Sequence, residues 1–125
     1  ESCDMIGCCS VQFVVESSGH VYPCDFYVLD PWDLGSIHEQ SFSQMIHSAT
    51  AQAFLKASHY LPDECAACPL YPICRNGCRR NRVQDSSGNS GVNYYCESYR
   101  HFFFSRKQQL AEAVRLIRDM RRELT

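Results

Sequence analysis

Apolar residues recur with different periods along the chain, and these periods predict where strands and helices lie. β-Branched and aromatic residues fill 11–23 on either side of a polar, glycine-containing segment at 17–19, which predicts a β-hairpin with its turn there. Apolar residues at helical spacing follow over 42–49 and predict a helix with Ser41 as its N-cap. A second short helix is predicted over 51–58.

The last quarter of the chain has the clearest helical pattern. Between charged residues, apolar side chains recur every three or four positions: Leu110, Val114, Ile117, Met120 and Leu124. This stripe predicts an amphipathic helix from Phe102 to Leu124. Because an isolated helix of this length is marginal in water, the stripe is expected to dock on another surface. A polar loop is predicted before this region, over 85–91.

Length and composition are those of one small globular unit. The chain has 125 residues, 45% of them hydrophobic and 21% charged, which allows a modest core but not two large independent domains. No apolar run approaches the roughly 20 residues that cross a bilayer, and the first residues do not have the pattern of an export signal. We therefore expect a cytoplasmic protein without a membrane partner.

Charge is distributed unevenly between the two parts of the chain. Residues 1–74 carry nine acids and one base, whereas residues 75–125 carry eleven bases and five acids. Much of the positive charge lies in the helical C-terminal pattern, where acids are interspersed with it. Mixed charges of this kind are typical of a solvated helix face, so no nucleic-acid partner is expected.

Nine cysteines are the strongest chemical signal in the sequence. They form two groups separated by forty residues without cysteine: Cys3, Cys8, Cys9 and Cys24, then Cys65, Cys68, Cys74, Cys78 and Cys96. An odd count argues against a disulfide framework, and closely spaced thiols in a reducing compartment are more often metal ligands. The C-x-x-C pair lies among prolines and a glycine, which favour a backbone that wraps around a metal.

Thiolate ligands by themselves are compatible with a redox dithiol, a zinc site or an iron–sulfur cluster. A redox dithiol would open a helix after a βαβ strand, and no such unit surrounds Cys65. Zinc sites usually use paired C-x-x-C knuckles, of which only one is present, whereas iron–sulfur clusters accept ligands from distant segments. Eight of the nine cysteines would hold two cubane clusters. The arginines near Cys78 are either a solvated basic turn or cations that offset cluster charge.

The cysteine spacings and their flanking residues form one pattern over about residues 3–104. Its motifs are Cys3-x5-Cys9-x14-Cys24, Cys65-x2-Cys68-x5-Cys74-x3-Cys78-x17-Cys96, Gln12-Phe-Val-Val-Glu-Ser, Gly19-His-Val-Tyr-Pro-Cys-Asp-Phe-Tyr-Val-Leu-Asp30, Cys78-Arg-Arg80 and Asn93-Tyr-Tyr-Cys-Glu-Ser-Tyr99. This pattern resembles the C-terminal SPASM domain of radical S-adenosylmethionine enzymes, and most closely that of the anaerobic sulfatase-maturating enzymes.

The resemblance implies an α+β fold with a small β-hairpin, cysteine-rich metal-binding loops, helices and a long C-terminal helix. It implies a SPASM-like twin-cluster domain over residues 1–98. The amphipathic helix over 99–125 would pack on that domain or on a radical S-adenosylmethionine barrel outside this chain.

The same resemblance implies which cysteines bind which cluster. The first auxiliary [4Fe–4S] cluster would be held by Cys3, Cys9, Cys24 and Cys78, and the second by Cys65, Cys68, Cys74 and Cys96. Cys78 would then join the two halves of the chain, so that metal binding contributes folding energy. Cys8 has no ligand role in this scheme and is expected to be a small buried side chain.

The resemblance also implies a reaction, the oxidation of a Cys or Ser side chain in an unfolded sulfatase peptide to Cα-formylglycine. A 5′-deoxyadenosyl radical removes a Cβ hydrogen, a base removes the side-chain proton, and an electron leaves through a cluster. Asp25 matches the residue proposed as that base. The alternative role for Asp25 is that of a turn-capping residue.

One motif of that enzyme class is missing from the chain. Radical S-adenosylmethionine chemistry requires C-x-x-x-C-x-x-C, but Cys74-x3-Cys78 continues to Asn81. S-adenosylmethionine and a third [4Fe–4S] cluster are therefore expected in an N-terminal barrel, and this chain alone is expected to be inactive. Two alternatives stay open: a SPASM domain of another peptide-modifying enzyme, and a zinc-stabilised binding module. Zinc can also occupy Cys65, Cys68, Cys74 and Cys96 as an adventitious substitute in protein produced in air, because tetrahedral thiolate sites accept it readily.

Overall fold

The computed structural model describes residues 2–84, 86 and 90–124, which belong to two compact units, Glu1–Tyr94 and Tyr95–Thr125. The first unit combines short strands with short helices, and the second is helical. In chain order the elements are β1 (Val14–Val15), β2 (Val21–Tyr22), α1 (Phe42–Ile46), α2 (Ala49–Ala57), α3 (Asp63–Ala66), α4 (Tyr71–Cys74), β3 (Arg82–Gln84), β4 (Ser90–Asn93), α5 (Cys96–Ser105) and α6 (Lys107–Glu123). The predicted α+β class is confirmed.

The predicted N-terminal hairpin is confirmed, since β1 and β2 pair in antiparallel register. Gly19 adopts a φ of 85° in the connecting turn, a conformation that favours glycine. Beyond the paired residues, the amide of Gln12 donates to the carbonyl of Pro23 at 2.8 Å. This bond holds together the two segments that lead to Cys9 and to Cys24.

The core of the first unit forms where the hairpin meets the first helices. Its buried apolar side chains, against which Val11 and Phe13 pack, are Val21, Leu34, Met45 and Ala51. Ser41 caps α1 as predicted, since its hydroxyl accepts from the amide of Gln44 at 3.3 Å and its own amide donates to the Gln44 side chain at 2.8 Å. Ser48 then caps α2, and this second N-cap marks the break between the two helices.

Strands β3 and β4 form a second antiparallel pair that the hydrophobic pattern does not predict. Both strands are short, and the pair has an irregular register between Arg82 and Gln84, so neither has a clear alternation of apolar and polar residues. The predicted polar loop over 85–91 falls largely on residues 85 and 87–89, which lie outside the described residues. Its last two residues, Ser90 and Gly91, belong to β4.

The C-terminal unit contains two helices where the sequence predicts one. Helix α5 begins at Cys96, earlier than predicted, and Arg106 separates it from α6 with φ −110° and ψ 15°. The hydroxyl of Ser105 donates to the carbonyl of Phe102 at 3.3 Å, a bond that often bends helices. On α6 the side chains of Val114, Ile117 and Met120 are exposed. Among the described residues, no helix is long and apolar enough to span a membrane.

Candidate metal centre

A cavity of about 250 Å³ in the first unit gathers four cysteines from distant parts of the chain. Its lining includes Cys3, Cys9, Cys24 and Cys78, together with the side chain of Asp25. Cys3 begins a 3-10 turn near the N-terminus, and Cys9 and Cys24 lie on either side of the β1–β2 hairpin. Cys78 comes from the turn that precedes β3, more than fifty residues after Cys24. The structure therefore brings together the four cysteines predicted for one cluster.

The thiols that line this cavity interact electrostatically. Cys3 is exposed, but partial desolvation raises the pKa of its thiol, and the neighbouring Cys78 raises it further. Burial also raises the pKa of the Cys24 thiol to about 11, with contributions from Asp25 and Cys3. Thiolate ligands must lose these protons to bind a metal, so metal binding at this cavity releases protons.

Cys9 is held in place by a contact that sequence patterns do not predict. Its amide donates to the hydroxyl of Ser58 at 2.9 Å, and that hydroxyl donates to the carbonyl of Leu55 at 2.6 Å. Ser58 directly follows α2 and is only 1% exposed. The pKa of the Cys9 thiol is raised by burial, while the contact with the Ser58 side chain and the charge of Arg79 lower it. Since 49 residues separate Cys9 from Ser58, no local signal identifies this partner.

Asp25 lies beside a predicted ligand and lines the same cavity. It is the first residue of a 3-10 turn, Asp25–Tyr27, and its Oδ1 accepts a hydrogen bond from the amide of Phe26 at 3.1 Å. The same oxygen accepts from the thiol of Cys24 at 3.2 Å. The turn is closed by the backbone, since the amide of Tyr27 donates to the carbonyl of Cys24 at 2.9 Å, and the Asp25 side chain does not cap it. The bond from Phe26 leaves the second carboxylate oxygen of Asp25 for other contacts.

Arg79 lies against an aromatic cluster at one side of the cavity. Its guanidinium carbon is 5.1 Å from the ring centre of Tyr27, 5.0 Å from that of Trp32 and 5.6 Å from that of Phe54. These are cation–π distances, and the contacts fix the cation in a defined position. Phe54 and Tyr27 also line the cysteine cavity, so the aromatic cluster connects Arg79 to it.

The other predicted ligands lie on the short helices of the first unit and at the start of the second unit. Cys65 is buried in α3, Cys68 follows that helix, and Cys74 is the last residue of α4. The amide of Cys68 donates to the carbonyl of Cys65 at 3.1 Å, which forms the tight turn expected of a C-x-x-C pair. Cys96 is the first residue of α5 and belongs to the second unit.

Two further observations concern the cysteines. Cys8 is exposed, so the prediction that it is a small buried side chain is wrong. Its neighbour Cys9 is held towards the cavity by Ser58, which leaves Cys8 on the solvent side.

Within residues 2–84, 86 and 90–124, no group of three or more His, Cys, Asp or Glu side chains is arranged to hold a single metal ion.

Comparison with known families identifies a match over a region that contains three of the four cavity cysteines, Cys3, Cys9 and Cys24. A family described as an iron–sulfur cluster-binding domain, SPASM, matches residues 3–69. The chain is 45% identical over 102 residues to the cysteine-type anaerobic sulfatase-maturating enzyme of Clostridium perfringens strain 13, covering 82% of this chain and 28% of that enzyme. It is 33% identical to the serine-type enzyme of Bacteroides thetaiotaomicron over 81% of this chain and 25% of that enzyme. The chain thus spans about a quarter of the length of these relatives.

Solved structures resemble the chain in fold as well as in sequence. The structure described as native anSMEcpe with bound AdoMet and Cp18Cys peptide superposes with a TM-score of 0.88 and 41% identity, covering 94% of this chain and 32% of that one. The structure of native anSMEcpe with bound AdoMet superposes with a TM-score of 0.85 and 42% identity, covering 90% of this chain and 31% of that one. Over the residues that superpose, the chain therefore has the fold of the corresponding part of that protein.

Proposed function

Because this chain belongs to the SPASM family of iron–sulfur cluster-binding domains, we propose that it is the twin-cluster domain of an anaerobic sulfatase-maturating enzyme. That enzyme would oxidise a Cys or Ser side chain of an unfolded sulfatase peptide to Cα-formylglycine. The observation that carries the proposal is the cavity shared by Cys3, Cys9, Cys24, Cys78 and Asp25. Sequence identity to sulfatase-maturating enzymes of both types supports the reaction class.

We propose that those four cysteines hold the first [4Fe–4S] cluster. The thiols provide the donor set that such clusters use, and all four line one cavity. The side-chain amide of Gln12 lies 3.8 Å from Cys3 Sγ, where it can donate to the sulfur, and hydrogen bonds to sulfur adjust cluster potentials. Cys65, Cys68, Cys74 and Cys96 are proposed to hold the second cluster. When bound, such clusters supply a one-electron acceptor.

The proposed role of Asp25 is to accept the side-chain proton of the substrate residue. Its carboxylate lines the cavity, and the amide of Phe26 fixes one of its oxygens. When Cys24 is a ligand it no longer has a thiol proton to donate, so its bond to Asp25 Oδ1 is lost. A carboxylate with a fixed position and a free oxygen is suited to general-base work.

The remaining parts of the reaction are proposed to lie outside this chain. S-adenosylmethionine and a third [4Fe–4S] cluster would be held by an N-terminal barrel of the same protein, and this chain alone would be inactive. The substrate peptide would reach the cavity next to Asp25, and the enzyme would act in the reducing cytoplasm, where thiolate ligands persist.

Iron analysis tests the proposal directly. After anaerobic purification and reconstitution, we expect about eight irons and eight sulfides per chain, because eight thiolates hold two cubanes and each cubane contains four irons and four sulfides. A colourless protein that takes up no iron would contradict the proposal. Zinc that persists at stoichiometric amounts in protein handled without oxygen would instead favour a zinc-stabilised binding module.

The apolar stripe of α6 leads to a further prediction. We propose that the helical region over 99–125 docks through Val114, Ile117 and Met120, which are 46%, 52% and 61% exposed, on the barrel or on the cluster domain. In the isolated chain this surface is expected to cause self-association. Ile117→Glu should therefore shift the sedimentation profile towards monomer. Gln109→Glu adds the same charge at a polar position and should leave the profile unchanged; an equal effect of both variants would contradict docking through the stripe.

A further inference from the structure

Arg82, the first residue of β3, is buried although it lies in a run of arginines. Only 7% of the residue is exposed. Its guanidinium donates four hydrogen bonds to backbone carbonyls: Nε to Asn76 at 3.2 Å, Nη1 to Ser58 at 2.7 Å, and Nη2 to Gly7 at 2.7 Å and to Gly77 at 2.9 Å. These bonds fix the position of the charge within the fold.

The carbonyls that Arg82 binds belong to the segments that carry the cavity cysteines. Gly7 lies two residues before Cys9, and Gly77 lies immediately before Cys78. Ser58 provides a second connection, because its carbonyl accepts from Arg82 while its hydroxyl accepts from the amide of Cys9. The guanidinium therefore bridges the backbones of two proposed ligands of the first cluster, which are far apart in sequence.

The charge of Arg82 has no acidic partner in the part of the chain that the structure describes. All of its hydrogen bonds go to neutral carbonyls. Burial lowers the pKa of its guanidinium, whereas the negative charges of Cys9, Cys78 and Cys65 raise it. A buried charge without a counter-charge is costly, and the cysteine sulfurs are the groups that provide one when they are thiolates.

We propose that Arg82 is the fixed counter-charge of the iron–sulfur centre held by Cys9 and Cys78, and that it raises the reduction potential of that centre. The inference rests on the proposed function, since it requires that the cluster binds. Reduction adds one negative charge to the centre, and a cation held nearby in a region of low dielectric stabilises the reduced form more than the oxidised form. Arg82 is thus a positioning and tuning residue that does not itself react.

The test compares four forms of the reconstituted full-length enzyme: wild type, Arg82→Gln, Arg82→Lys and Lys56→Gln. Arg82→Gln removes the buried charge, Arg82→Lys keeps a positive charge without the planar fork, and Lys56→Gln removes an exposed charge from α2 as a control. Iron and sulfide content is measured first. The reduced fraction of the clusters is then followed by electron paramagnetic resonance during a redox titration.

We expect Arg82→Gln to lower the ratio of reduced to oxidised first cluster about tenfold at a fixed potential, which corresponds to about 59 mV for a one-electron couple. Arg82→Lys and Lys56→Gln should stay within about twofold of wild type. If Arg82→Gln loses iron, retention of iron and potential by Arg82→Lys still supports the role of the charge.

Other results would overturn the inference. Equal shifts in Arg82→Gln and Arg82→Lys, or equal loss of iron from both, would mean that the hydrogen bonds of the guanidinium matter and its charge does not. An unchanged potential in iron-replete Arg82→Gln would mean that Arg82 does not set the potential. A wild-type enzyme that binds no iron through the cysteines of this chain would instead remove the proposed function, and the role of Arg82 with it. The iron content of the wild-type enzyme therefore shows whether the proposed function has failed or only the proposed role of Arg82.

Discussion

Replacing Cys78 with serine is expected to remove about four of the eight irons from the reconstituted chain, because each cubane is held by four thiolates. Cys78 lines the cavity with Cys3, Cys9 and Cys24, and it lies on the same segment as Cys74 of the other ligand set. Loss of this thiol is expected to open the first cluster and to remove the link that the cluster makes between the N-terminal segment and the turn before β3, while the hydrogen bonds of Arg82 to Gly7 and Gly77 remain. In the full-length enzyme, formation of formylglycine should fall to background.

Cys8→Ser is the matched control for this experiment. It makes the same chemical change at an exposed cysteine next to a proposed ligand, and it should leave iron content and product unchanged. The measurements are iron and sulfide analysis and a mass-spectrometric assay of the modified peptide. Full iron content in Cys78→Ser would contradict the assignment of Cys78, and loss of iron in Cys8→Ser would show that Cys8 takes part in binding.

Asp25→Asn is expected to separate cofactor cleavage from product formation in the full-length enzyme. Without a base, removal of the side-chain proton should slow by about 10²- to 10⁴-fold, the usual contribution of a positioned general base. Cleavage of S-adenosylmethionine precedes that step and should stay close to the wild-type level. The measurements are 5′-deoxyadenosine by chromatography and formylglycine by mass spectrometry, with a C-x-P-x-R-type sulfatase peptide as substrate.

Asp30→Asn serves as the control for that experiment, because Asp30 also begins a 3-10 turn but does not line the cysteine cavity. It should leave both products at wild-type levels. An equal fall of 5′-deoxyadenosine and formylglycine in Asp25→Asn would argue against a base and for a structural role of the bond between the Asp25 side chain and the amide of Phe26. A thioether in place of the aldehyde would point to another peptide-modifying enzyme.

Local patterns predicted much of the fold because the determinants of these elements are close in sequence. The hairpin around Gly19 and the helix capped by Ser41 follow from neighbouring residues, and both are confirmed. The break at Arg106 was not predicted, since the apolar stripe of α6 continues the pattern of α5 and the bond from Ser105 to Phe102 has no hydrophobic signature. The strands β3 and β4 were missed for a similar reason, because they are too short and polar to show alternation.

By itself, the sequence determined which chemistry this protein offers, since the number and spacing of the cysteines and the identity of Asp25 are local properties. The resemblance also grouped the cysteines into two sets, but only the tertiary structure decided which other groups hold them in place. The amide of Cys9 binds a hydroxyl 49 residues away, and Arg82 binds the carbonyl of Gly7 across 75 residues. It also decided that Cys8 faces solvent and that Arg82 is buried. Burial and convergence depend on packing between distant segments, and periodicity along the chain carries no information about such contacts.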